Sequence, residues 1–173
     1  MLGVEDTPVE VCGFGLAQAG VYAMDAIRRQ RPRRVLLAGC AGSYDASRAV
    51  LGTAVALGEV RCFGIGAGGK AAAELGFAHS DVIELDDGQG LALSVAEASS
   101  SPAEAAARAA AHPEALVEEM EGYAVALAAT VIGVPCSMVR GISNLAGDRD
   151  RAGWRMAESL AAARTLIDTM LVR

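Results

Sequence analysis

EEMEGYAVALAATVIGVPCSMVRGISN, residues 118–144, is the stretch on which the reading of this chain turns. Three carboxylates, Glu118, Glu119 and Glu121, crowd around Met120, and the chain then becomes almost wholly apolar. GYAVALAATVIG (122–133) reads as a buried helix closing on Gly133, and VPCSMVRGISN (134–144) as a strand ending in a polar turn. Acidic residues suit a helix N-terminus, whose unpaired N–H groups carry partial positive charge, and that role is sufficient for Glu118 and Glu119. Glu121 stands directly before a helix that must be buried. A carboxylate there is costly unless it is paired or faces a ligand. Two neighbouring sugar hydroxyls are a natural ligand, because one carboxylate accepts from both, and Met120 can wall the sugar with a soft apolar surface.

Outward from this unit the pattern repeats. VEVCGFG (9–15) reads as a short buried strand. LAQAGVYAMDAIRRQ (16–30) reads as a helix with an apolar face through Leu16, Val21, Met24 and Ile27, stopped by Pro32. RRVLLAGCAGSY (33–44) gives a strand and then a small-residue turn. TAVALGEVRCFGIG (53–66) is one long strand or two broken at Gly58, and DVIEL (81–85) and GLALSVAEA (90–98) are further strands. SPAEAAARAAAH (101–112) opens a helix with Ser101 as N-cap and Pro102 in its first turn. ALVEEM is a strand or a helix entry, and residues 148–173 form a long terminal helix. Continuous apolar strands alternating with helices imply a parallel or mixed sheet covered on both faces, where ligands sit beyond the C-terminal strand ends.

Composition narrows the function. The chain has 173 residues, 53% hydrophobic but 4% aromatic, so Ala, Val and Leu must form one closely packed core. A net charge of −6 disfavours a nucleic-acid surface, and RRQRPRR (28–34) suits a helix C-terminus. Cysteines 12, 40, 62 and 136 form no CxxC pair, and His79 and His112 stand alone, so no metal is implied. No apolar run reaches membrane-spanning length and no signal-peptide core is present, which makes the cytoplasm the expected compartment. GIGAGGKA (64–71) begins like a P-loop, but Ala71 replaces the hydroxyl that would hold magnesium. GFGLAQAG (13–20) begins like a dinucleotide fingerprint, but Gln18 replaces its third glycine and Arg33 and Arg34 stand where the ribose-binding acid belongs.

Met120-Glu121-Gly122, the apolar helix, Gly133-Val134-Pro135 and Arg140-Gly141-Ile142-Ser143-Asn144 together resemble the nucleoside phosphorylase and nucleosidase superfamily. AGCAGSY (38–44) looks like that superfamily's small-residue turn, and Asn144 followed by GDRDRAGW (147–154) is most similar to its futalosine hydrolases. The resemblance implies one domain over 1–173, α/β, a three-layer α/β/α sandwich with a mixed, mostly parallel central sheet. It implies hydrolysis of a purine nucleoside, most simply futalosine to hypoxanthine on a route to menaquinone, without metal or organic cofactor. The implied partners are a small-molecule purine nucleoside and a second copy of the chain as a homodimer or higher homo-oligomer, with no nucleic acid and no membrane. Glu121 and Asn144 are the expected catalytic pair, the carboxylate holding the ribose and the amide reading a 6-oxopurine. Met120, Cys40, Ala41, Gly42, Tyr44 and Arg140 are expected around the substrate: Tyr44 to stack, and Arg140 to meet a carboxylate of the substrate or of Asp148 or Asp150. Against the family pattern, the chain begins after a strand that carries an acid near the attacking water, matched by none of Glu5, Asp6 and Glu10, and residues 58–90 are shortened. A methylthioadenosine-type nucleosidase and a non-catalytic nucleoside-binding homologue are the alternatives.

Overall fold

The computed structural model describes residues 7–68, 70, 71, 73–76 and 81–172, so Glu5, Asp6 and His79 lie outside the described residues. Seven strands form the main sheet: β1 (Val35–Ser43), β2 (Ala54–Leu57), β3 (Glu59–Cys62), β6 (Val82–Glu84), β7 (Leu91–Ser94), β8 (Ala115–Glu119) and β9 (Cys136–Leu145). Their order is β2-β9-β1-β8-β7-β3-β6. Pairs β1/β9, β7/β8 and β3/β7 are parallel, and β2/β9, β1/β8 and β3/β6 are antiparallel. The sheet is therefore mixed.

Among the described residues four α-helices accompany it: α1 (Gly15–Gln30), α2 (Pro102–Ala111), α3 (Gly122–Ile132) and α4 (Met156–Leu171). Alternation along β9 decides which face each helix covers. Met138 joins the large core with α1 and α3, while its neighbour Val139 joins Ala163 and Met170 under α4. Helix α3 is apolar on nearly every side, as a helix must be when α1 covers one flank and strands from both ends of the sheet cover the other. It closes at Gly133 in the left-handed conformation.

β2 and β3 lie almost at opposite ends of the strand order, yet Gly58 alone separates them in the chain. The sheet must therefore curl until its margins meet. Leu85 N–H donates to Gly58 O and Gln89 N–H to Ala56 O across that junction, and an isolated bridge pairs Asp86 with Ser137. The crossing is tight: a Cβ on Gly58 would lie 2.8 Å from the Gly88 carbonyl oxygen. Gly58 is thus the strand break, and close backbone approach is its cause.

Several sequence expectations are corrected. Residues 9–15 form no strand: the segment finds no partner strand, Val9 and Val11 are exposed, and Glu10 accepts instead from Arg29 and Gln30 on α1. The buried face of α1 runs through Ala19, Ala23 and Ile27, while Val21 is exposed. The small-residue segment 38–43 is strand β1, not a turn. α4 starts at Met156 because Asp150 accepts from Ala152 N–H and caps a separate short turn over residues 151–153. Among the described residues the glycine segment 64–71 contributes the two-residue strands β4 (Gly66–Ala67) and β5 (Lys70–Ala71), followed by a short turn over Ala73–Leu75 and no long helix to receive a phosphate.

Burial has a measurable chemical consequence at Cys136. Its thiol is pushed up to about 12 by burial and, secondarily, by the Asp86 carboxylate. Only about one molecule in ten thousand carries the thiolate at pH 8. Iodoacetamide at pH 8 is expected to leave Cys136 unlabelled in the folded protein and to label it after denaturation. Mass spectrometry finding native-state labelling there would refute the burial.

Candidate active site

The two expected catalytic motifs meet through strand register. Gly42 on β1 pairs with Glu118 of β8 on one side and Asn144 of β9 on the other. Two strand spacings put the Glu118 and Asn144 backbones roughly 10 Å apart. The C-terminal ends of β7, β8 and β9 carry Ser94, Glu119 and Asn144, where the sheet rule places a ligand.

The acidic run divides by strand alternation. Glu118 and Glu119 are residues of β8, each 4% exposed, with different partners. Glu118 accepts from Ser99 N–H (2.8 Å), Ser99 Oγ (2.6 Å), Tyr44 Oη (3.1 Å) and Arg108 Nη1 (3.2 Å). It anchors the loop after β7 and caps no helix, which corrects its expected role. Glu119 accepts from Ser94 Oγ, from Arg140 Nη2, and from the N–H groups of Glu121 (3.0 Å) and Gly122 (2.7 Å). Its expected place at a helix N-terminus holds, with a buried ion pair added.

Glu121 is the N-cap residue of α3, but its carboxylate does not cap that helix. It crosses to α1, accepting from Gly15 N–H at 3.0 Å, and it lies 3.5 Å from Arg140 Nη2. The carboxylate thus completes the N-terminus of α1, which has no side-chain cap of its own. Its side chain is 16% exposed, against 0% for Glu119, and two contacts leave lone pairs unused.

Arg140 binds these acids together. Its side chain is 2% exposed and pairs with Glu119 and Glu121, not with Asp148 or Asp150. The expected local pairing is thereby corrected: both partners come from the β8–α3 junction, about twenty residues earlier in the chain. To reach them the side chain passes over β1 at Gly39, where a Cβ would overlap the guanidinium. Gly39→Ala is expected to lower stability by about 1–3 kcal/mol, the usual cost of forcing an extra carbon into a packed site. A urea midpoint equal to that of the parent protein would show that Arg140 does not take this path.

Asn144 is 6% exposed. Its Oδ1 accepts from Ser143 Oγ (2.7 Å) and its Nδ2 donates to Leu145 O (2.7 Å), leaving one amide N–H unused among the described residues. Ala41 is buried, and Cys40 and Gly42 are half-buried beside it on β1. Met120 and Tyr44 pack together against Leu91, Leu93 and Val95. The Tyr44 ring therefore belongs to an apolar cluster, with its hydroxyl held by Glu118. Burial, with Glu118 second, pushes its ionisation well above the usual phenol value. Tyr123 is buried in the core, and Trp154 is half-buried with the Arg149 and Arg151 guanidiniums over its ring.

Sequence reasoning missed Gly15, Gly39 and Ser94. A glycine inside an apolar strand run was the available signal for Gly39; Ser94 and Gly15 carried none. A separate cavity of about 370 Å³ is lined by Arg61, Phe63, residues 64–68, Lys70, Asp81 and His112, and it shares no residue with the Glu121–Asn144 region. Among the described residues no cluster of His, Cys, Asp or Glu is arranged to hold a metal, and no helix is long and apolar enough to cross a membrane.

Known proteins match this architecture. The phosphorylase superfamily profile matches residues 5–172. The futalosine hydrolase of Thermus thermophilus is 32% identical over 179 aligned positions, covering 92% of this chain and 78% of that protein. Shorter matches join the chain to the futalosine hydrolases of Streptomyces coelicolor, 57% identical over 51 residues, and Acidothermus cellulolyticus, 47% over 49. They span 30% and 28% of this chain, and only 22% and 20% of those relatives. Among solved structures, the methylthioadenosine/S-adenosylhomocysteine nucleosidase of Colwellia psychrerythraea, in complex with adenine, superposes with a TM-score of 0.80 at 22% identity, covering 92% of this chain and 75% of that one. Futalosine hydrolase of Helicobacter pylori superposes with a TM-score of 0.77 at 17% identity, covering 94% and 78%. Fold, register and sequence agree, and the chain belongs to the phosphorylase superfamily.

Proposed function

We propose that the protein hydrolyses the N-glycosidic bond of a purine nucleoside, futalosine first, releasing hypoxanthine. The observation that carries this reading is the Glu121 carboxylate: anchored by Gly15 and Arg140, still partly open, and set beside Met120 at the ligand end of the sheet. Breaking the C1′–N9 bond builds positive charge on the sugar and negative charge on the base. Water oxygen bonds to C1′, and the proton that water loses passes to the departing purine. Glu121 accepts from the 2′- and 3′-hydroxyls and opposes the charge growing on the ring. Arg140 fixes the carboxylate's direction from behind. Met120, Cys40, Ala41 and Gly42 wall the pocket, with Tyr44 supporting Met120.

Asn144 reads the base. Its unused amide N–H suits the acceptor N7 or O6 of a 6-oxopurine, and an amide is no practical acid at neutral pH. The 32% identity to the T. thermophilus futalosine hydrolase over most of both chains supports the same substrate. The proposal includes a place on a route to menaquinone, a cytoplasmic setting and a homodimer.

Incubation with futalosine, inosine and methylthioadenosine, followed by chromatography for free base, tests the reading. Hypoxanthine release from futalosine is expected to be fastest. Release from none of the three overturns hydrolysis, and faster adenine release makes the protein an adenosine-type nucleosidase. Asn144→Asp supplies a carboxyl that can protonate N7, so the rate ratio of methylthioadenosine to futalosine is expected to rise about tenfold or more. An unchanged ratio would remove Asn144 from base selection.

A further inference from the structure

The cavity of about 370 Å³ at the end of β3 takes no part in the chemistry proposed above, yet its walls carry charge. Arg61 stands on β3, Lys70 on β5, Asp81 just before β6 and His112 just after α2, so four separate elements bring polar side chains to one hollow. The wiring of Arg61 fixes which donors are left over. Its Nη1 donates to Glu114 Oε1 at 2.7 Å and to His112 Nδ1 at 3.0 Å. Its Nε lies 3.6 Å from Asp81 Oδ2, too far for a hydrogen bond, and is buried without a partner. Among the described residues Nη2 has no acceptor. His112 Nδ1 is the acceptor in its pair, so the ring carries its proton on Nε2 as a further donor.

Asp81 and Glu114 offset the charge of Arg61, so Arg61 contributes directed donors and Lys70 contributes the uncompensated charge. Lys70 is exposed, and among the described residues no carboxylate lies within salt-bridge distance of it. It is the sole lysine of a chain that otherwise uses arginine for its cations. A compact ammonium on a flexible stem suits a phosphate group as a point charge. The glycine segment completes the hollow. Gly64 and Gly68 adopt φ of +79° and +60°, and a Cβ on either would meet no atom within 4 Å, so the backbone there is open to an occupant. Phe63, Ile65 and Ala67 add apolar wall for an organic body. The segment lacks the hydroxyl and the helix of a P-loop, which rules out a magnesium triphosphate in that manner and leaves a smaller anion held by side chains. A few converging polar groups in a cavity of this size are the usual make-up of a small-molecule site.

We propose that this cavity binds the phosphomonoester of a small organic molecule, with the phosphate between Lys70 and Arg61 and the organic body against Phe63 and Ile65. The site shares no residue with the Glu121–Asn144 region, and its binding of a ligand does not rest on the hydrolase reading.

The sole lysine makes a direct probe possible. The aldehyde of pyridoxal 5′-phosphate condenses with an amine, losing water, and borohydride reduces the imine to a stable secondary amine. Peptide mass spectrometry of the full chain is expected to find Lys70 labelled, with pyridoxal, which lacks the phosphate, about tenfold or more less effective at equal concentration. Phenyl phosphate at millimolar concentration should block the labelling, and phenol should not. In R61Q the advantage of pyridoxal 5′-phosphate over pyridoxal should shrink. R61Q also cuts the ties to Glu114 and His112 and can loosen the fold, so K70Q, at an exposed position, supplies the second measurement. Calorimetry should show phenyl phosphate binding saturably to the parent protein and about tenfold or more weakly to K70Q. Equal labelling by the two aldehydes, no block by phenyl phosphate, or equal affinity in K70Q overturns the site. An equal block by benzoate overturns the preference for phosphate, and an equal block by inorganic phosphate overturns the organic body. Nucleoside hydrolysis with none of these effects removes the cavity site and leaves the hydrolase standing. Phenyl phosphate binding that K70Q weakens, without turnover of any nucleoside, does the reverse.

Discussion

Replacing Arg140 by methionine is expected to cost about 3–5 kcal/mol of folding stability, the range found when one member of a buried ion pair is removed. The side chain is 2% exposed and Glu119, its partner, is fully enclosed, so the substitution strands a carboxylate with no countercharge. Ser94 and the first N–H groups of α3 still donate to Glu119, which keeps the loss within that range. For a chain of this length the loss lowers Tm by roughly 6–20 °C. The cause is tested by a second substitution. Adding E119Q to R140M removes the stranded charge, and the double variant should be more stable than R140M alone. If the two losses simply add, the arginine acts by filling space and the ion pair is not what holds the β8–β9 contact.

Glu121→Gln is expected to leave the fold intact and to lower kcat by about a hundred- to a thousandfold, the scale on which a preorganised electrostatic contact to a developing charge is lost. The amide oxygen can still accept from Gly15 N–H, and Arg140 keeps Glu119, so Tm should move by only a few degrees. The separation between the two variants is informative. Arg140→Met strikes stability first, whereas Glu121→Gln strikes turnover with the protein folded. Near-normal activity in Glu121→Gln would withdraw the carboxylate from the chemistry and leave it as the cap of α1.

The legibility of this sequence depended on how local each cause was. Helix α3 and strand β9 could be read directly, because an apolar run, a terminal glycine and a polar strand end all lie within one segment. Residues 9–15 carry the same apolar spacing as a strand, but a strand also needs a neighbour, and no local pattern states whether one is in reach. Gly39 and Gly42 resemble turn glycines in sequence. In space Gly39 is the gap that lets Arg140 cross β1, a reason that lies about a hundred residues away. The site divides in the same manner. Glu121 stood out because a charge before a buried helix demands an explanation. Glu119 looked like an ordinary first-turn acid, although it is the more deeply paired of the two. Arg140 was assigned to nearby aspartates because sequence shows distance along the chain, while the true partners are adjacent only across the sheet.

Gly58 has an effect that reaches past its own turn. Because this one residue stitches together opposite rims of the curled sheet, neither rim can peel away while the other stays zipped. Amide exchange at Val55 and at Val60 should therefore report a shared opening event, and the whole barrel-like wall around α3 should melt as one block.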